Sequence, residues 1–110
     1  MPRVTAFNLR RGDPLSEIER AVRRALISQP ALEISEDEID LVPVYEPEDF
    51  RATVARIDVD LWEHPGRSKD ALQELASEVA GAFRSVVGQD RKVKVVIRPY
   101  DVQKSGWVSF

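Results

Sequence analysis

The sequence predicts an α+β domain of two consecutive βαβ units, and three observations carry that expectation. Four stretches alternate apolar with polar residues, as half-buried strands do. Two longer stretches repeat apolar residues at spacings of three and four, as amphipathic helices do. Their order is strand, helix, strand, then strand, helix, strand, with no low-complexity linker between the halves. A helix that joins two neighbouring strands makes them parallel, with a right-handed crossover. A four-stranded mixed sheet with both helices on one face buries both apolar stripes and leaves the other face for a partner to cover.

Residues 4–9, VTAFNL, carry the β-branched and aromatic types of a strand that ends at the Arg-Arg-Gly-Asp-Pro loop. Asp13 is expected to cap the first helix, with Pro14 at its first position, where a missing N–H costs nothing. Leu15, Ile18, Val22, Ala25 and Leu26 form its apolar stripe, and Pro30 closes the element. After the acidic turn SEDE at 35–38, IDLVPVY reads as a second strand. Pro43 has no N–H to give a ladder and assigns it to a sheet edge.

In the third strand, VARIDVDLW, Ala55, Ile57, Val59 and Leu61 share one face, and Arg56, Asp58, Asp60 and Trp62 the other. Ser68 caps a second helix with the stripe Leu72, Leu75, Val79, Phe83 and Val86, stopped by Gly88. VKVVI at 93–97 is the last strand, followed by a tail that ends in YDVQKSGWVSF. The chain is read as one domain, 1–110, with pseudo-repeat halves at about 2–46 and 53–98 and a tail at 99–110.

Composition narrows the function. The chain is 43% hydrophobic and 32% charged, as in ordinary soluble proteins. A net charge of -3 provides no general field for a polyanion, so nucleic acid is not an expected partner. Arg10, Arg11 and the Arg20, Arg23, Arg24 group remain local cationic clusters. Cysteine is absent, and His64 is the sole histidine, which excludes thiolate chemistry and a multi-histidine metal site within one subunit. Neither a membrane span nor a secretory signal is legible, so no membrane partner is expected and the expected location is cytoplasmic.

Periodicity alone leaves two folds open: a ferredoxin-like sandwich with interleaved halves, and an arrangement in which each half keeps its own parallel pair. Local motifs favour the second. "MPRVTAFNL", "DEIDLVPVYEPEDF", "EHPGRSKDALQELASEVAGAF" and "VKVVIRPYDVQKSGW" resemble, in order, the Met-Pro start, second strand, "GRS" loop with its helix, and last strand with tail of the tautomerase superfamily. That group includes 4-oxalocrotonate tautomerase, macrophage migration inhibitory factor, malonate semialdehyde decarboxylase and cis-3-chloroacrylic acid dehalogenase. The resemblance covers nearly the whole chain, in short motifs.

The resemblance implies that Met1 is removed and that Pro2 becomes a terminal secondary amine, the catalytic group. Only the free amine is basic, and apolar surroundings with nearby cations lower its pKa enough for it to take a proton. Arg67, in the "GRS" loop, is then expected to hold the substrate carboxylate through its planar pair of donors. His64 stands where some members carry another arginine. In the first half the loop reads "RRGDP", so Arg11 does not match the family arginine position by position, and its expected route to Pro2 is from a neighbouring subunit.

Tyr100 and Trp107 in the tail are candidates to polarise a carbonyl and to wall off solvent, and Phe50 and Trp62 to line a pocket. The implied function is movement of a proton on, or decarboxylation or hydration of, a small 2-oxo or enol carboxylic acid. A homotrimer with no metal or organic cofactor would carry it out. The alternatives are a non-catalytic trimer of the same fold used for binding or assembly, and a ferredoxin-like binding module with no role for Pro2.

Overall fold

The computed structural model describes residues 2–47, 54–101, 103–106 and 108. Its elements run β1 (Arg3–Leu9), α1 (Leu15–Ile27), β2 (Asp40–Tyr45), β3 (Val54–Trp62), α2 (Lys69–Val87) and β4 (Lys92–Tyr100). Two short 3₁₀ turns, Pro30–Leu32 and Glu36–Glu38, lie between α1 and β2. The sheet order is β2-β1-β3-β4. β1 and β2 are parallel, β3 and β4 are parallel, and β1 meets β3 antiparallel. Each half therefore keeps its own pair, which rejects the ferredoxin-like interleaving, and Pro43 lies on an edge strand as its missing N–H requires.

Antiparallel register sets Val4 opposite Val59 and Ala6 opposite Ile57, so all four point to the helix side. There they meet Ile18, Val22 and Leu26 of α1 and Leu72, Leu75, Val79 and Phe83 of α2 in one buried cluster. The register of β1 with β2 shifts between Ala6 and Leu9, where Asn8 takes a φ of 61° and its amide donates to the Val54 carbonyl. That irregularity returns Leu9 to the helix side, fully buried.

The opposite face carries a charged ladder. Arg56 Nε donates to Asp58 at 2.7 Å, Arg98 Nε to Asp60 at 2.8 Å, and Arg98 Nη2 to the far oxygen of Asp58 at 3.3 Å. These bonds satisfy Asp58, which is buried in the single chain. Val44, Val54, Trp62 and Tyr100 are exposed, the last two side by side on β3 and β4.

The cap of α1 differs from expectation. Pro14, not Asp13, is the cap residue, with no side-chain bond. Asp13 instead accepts both Arg91 Nη1 and Nη2 at 2.9 Å, and the Arg10 N–H at 2.7 Å. A bidentate guanidinium outcompetes a helix N–H for the carboxylate because both partners carry full charge. Ser68 caps α2 as expected, accepting the Ala71 N–H at 3.2 Å. β4 extends beyond 93–97 because β3 pairs with it from Val54 to Trp62. Among the described residues no helix is long and apolar enough to cross a membrane.

Candidate active site at the head of the central strand

Pro2 immediately precedes β1, a central strand of the sheet, and is buried. Its carbonyl accepts the Asp40 N–H at 3.1 Å, which ties it to the start of β2. On its other side the β1–β3 register, carried one residue past Arg3 and Asp60, brings it beside Leu61 at the end of β3. Pro2 thus sits where β1 and β2 begin and β3 and β4 end. In the chain as translated its nitrogen is an amide to Met1; loss of Met1 turns it into a secondary amine.

Two loops meet at this end of the sheet. The 63–67 loop leaves β3, and the Pro30–Leu32 turn leads toward β2. Arg67 joins them: Nε donates to the Leu32 carbonyl at 2.8 Å, Nη1 to Trp62 at 2.7 Å and Nη2 to Glu33 at 3.5 Å. Burial lowers the Arg67 pKa, against the raising effect of the Glu33 and Glu38 carboxylates. Gly66 lies so close to the turn that a Cβ there would stand 2.3 Å from the Ala31 carbonyl oxygen.

His64 Nε2 lies 2.7 Å from Glu33 Oε2, while its Nδ1 accepts the Gly66 N–H at 3.3 Å. The acceptor role of Nδ1 puts the proton of the neutral ring on Nε2, aimed at Glu33. Tyr100 ends β4 beside Trp62; the residue is 43% exposed, and its carbonyl accepts the Glu63 N–H at 2.7 Å.

Two adjoining clefts border the loop. One, of about 390 Å³, is lined by Glu63, His64, Pro65, Arg67 and Pro99. The other, of about 560 Å³, runs between α2 and β4 with Leu72, Ala76, Val95 and Ile97 as its apolar wall and Lys69 and Arg67 at its rim. Pro2 lines neither.

The structure therefore brings Pro2, His64, Arg67 and Tyr100 to one end of one sheet. Arg11 is not among them. It lies beyond the other end of β1, its guanidinium 5.5 Å over the Tyr45 ring. The intervening strand, at about 3.3 Å per residue, separates it from Pro2 by roughly 20 Å or more. Trp107 and Phe50 lie outside the described residues.

Sequence reasoning missed Glu33, whose carboxylate meets His64 and whose carbonyl meets Arg67. It adopts a φ of 51°, and nothing in "PALEIS" signals that role. The Asp58–Arg98–Asp60 ladder had a partial signal in the alternation of "RIDVD", but its partner strand became visible only with the register.

By sequence, no family model matches the chain, and no curated protein matches it either. By structure, matches are extensive. An asymmetric trimer of wild-type fused 4-OT superposes with a TM-score of 0.77 at 12% identity, over 96% of this chain and 91% of that one. Malonate semialdehyde decarboxylase FG41, inhibited by 3-bromopropiolate, matches at 0.69 with 16% identity, over 99% and 89%. The macrophage migration inhibitory factor of Toxoplasma gondii matches at 0.65 with 11% identity, over 96% and 95%. The chain has the tautomerase fold. These likenesses show the fold alone, a sheet in which each half's parallel pair is joined antiparallel at the centre.

Proposed function

We propose that this protein is a tautomerase-like enzyme in which Pro2, freed by loss of Met1, moves a proton between oxygen and carbon of a small 2-oxo or enol carboxylic acid. The neutral secondary amine accepts the enol hydroxyl proton and returns it to carbon; the electron pair of the O–H bond becomes the new carbonyl π bond, and the pair of the enol C=C π bond becomes the new C–H bond. The observation that carries the reading is the seat of Pro2, a buried residue at the head of a central strand with His64, Arg67 and Tyr100 at the same end.

Burial favours the neutral amine over the ammonium, and cations nearby push in the same direction. His64 in the cleft bordering the loop, with the Tyr100 hydroxyl and the Trp107 ring, is suited to bind and cover the substrate. Arg11 joins this site only from a neighbouring protomer. A homotrimer supplies that neighbour and covers the charged sheet face with its fringe of Val44, Val54, Trp62 and Tyr100. Decarboxylation or hydration of a three-carbon acid needs the same parts with the amine kept protonated. The proposed location is cytoplasmic, and neither metal nor organic cofactor takes part in the proposed step.

The test is ketonisation of phenylenolpyruvate or 2-hydroxymuconate by protein whose intact mass shows loss of Met1, with Pro2→Ala alongside. The variant also loses Met1 but presents a primary amine on a freer backbone, and its kcat/KM is expected to fall by about 10²-fold or more. Equal activity in both rejects the mechanism, and activity in neither favours the non-catalytic trimer, a reading that the absence of Pro2 from both clefts supports.

A further inference from the structure

Sequence resemblance assigns Arg67 to the substrate carboxylate, but its geometry describes a different task. Three of its five N–H donors are already directed at main-chain carbonyls, and those carbonyls belong to two separate segments. Trp62 ends β3, the strand on one side of Pro2. Leu32 and Glu33 lie in the turn that leads to Asp40, whose N–H holds the Pro2 carbonyl on the other side. The guanidinium therefore ties the end of β3 to the turn that precedes β2, and these are the two strands that flank β1.

Two further contacts reinforce the same junction without involving a guanidinium: the close approach of Gly66 to Ala31, and the pairing of His64 with Glu33. We infer that Arg67 is a positioning residue, a strap that clamps the 63–67 loop to the 30–33 turn and so holds together the end of the sheet at which Pro2 lies, rather than the group that grips the substrate carboxylate. The inference rests on Pro2 being the reacting group.

The experiment compares wild type, Arg67→Ala, Arg67→Lys and Gly66→Ala with two substrates, phenylenolpyruvate and its methyl ester, and follows amide hydrogen exchange at Leu32 and Glu33. In the native turn these amides donate to Gln29 and Pro30 carbonyls, so their protection reports its integrity. A strap predicts that Arg67→Ala lowers kcat by about 10²-fold for acid and ester alike, since a displacement near 1 Å is enough for that loss. The ratio of the two KM values stays at the wild-type value, and both amides exchange at least about tenfold faster.

Gly66→Ala, which removes no donor, gives the same pattern because its Cβ forces loop and turn apart. Lysine keeps the charge but cannot reach three carbonyls, so Arg67→Lys fails to rescue either readout. A rise in KM for the acid alone, with partial rescue by lysine and unchanged exchange, overturns the inference and restores Arg67 as a carboxylate clamp. Should wild type act on neither substrate, the proton-transfer reading fails by itself. The exchange comparison still decides the strap, because normal protection in Arg67→Ala removes it.

Discussion

Arg91→Ala withdraws the cation from a pair that is almost wholly shielded from water. The Arg91 and Asp13 side chains are 8% and 10% exposed and share two bonds of 2.9 Å. Removing one partner of a buried pair costs about 3–5 kcal/mol, because the other charge is stranded. Asp13 keeps the Arg10 N–H, which places the loss near the low end of that range, and the guanidinium lying 5.7 Å over the Phe83 ring adds about 0.5–1 kcal/mol. The expected total is about 3–4 kcal/mol, a large part of the roughly 5–15 kcal/mol that holds a domain folded.

Urea denaturation at pH 7 reads this directly. With a slope of about 1–1.5 kcal/mol per molar, the midpoint falls by roughly 2–4 M. The pH dependence has a definite sign. Burial pushes the Asp13 carboxyl up, but the Arg91 hydrogen bonds, the Arg10 amide and the two guanidinium charges together hold it below its ordinary range. A carboxyl depressed in the folded state contributes stability that is complete above its unfolded pKa of about 3.9 and disappears as pH falls through the folded value. The gap between wild type and variant is therefore steady from about pH 5 to 8 and narrows below about pH 4. A loss under about 1 kcal/mol at pH 7, or a gap that widens toward acid, refutes the reasoning.

Two other substitutions examine the frame that carries the site. Phe83→Ala empties a fully buried position in α2 and is expected to cost about 3–5 kcal/mol in the same urea titration. Gly88→Ala forces a side chain onto a φ of 116° with its Cβ 2.9 Å from Asp90 Oδ1, and a loss of about 1–3 kcal/mol is expected by thermal melting.

The elements were legible where local pattern and tertiary demand coincide. The stripes of α1 and α2 match the buried Ile18, Val22, Leu26, Leu72, Leu75, Val79 and Phe83, and Pro43 announced an edge. Pattern misled where a partner lies far along the chain. Asp13 has every local mark of a helix cap, yet its carboxylate belongs to Arg91, 78 residues later. The place of Pro2 at the head of a strand was readable because Met-Pro before an alternating run is a short-range signal. The bonds of Arg67 to Leu32 and Glu33 bridge 35 and 34 residues, a separation at which spacing carries no information, so residue type alone gave no sign of these main-chain contacts. Arg11 shows the same limit from the other direction, since only the strand direction reveals that it lies away from Pro2 on its own chain.

The ionisation of the first nitrogen tests the account most directly. Protein from its native source, labelled with ¹⁵N-proline, is expected to lack Met1 by intact mass and to show a Pro2 resonance that titrates below the ordinary α-amino range of about 7.7–8.0. A retained methionine, or a Pro2 nitrogen whose shift does not move with pH, contradicts it.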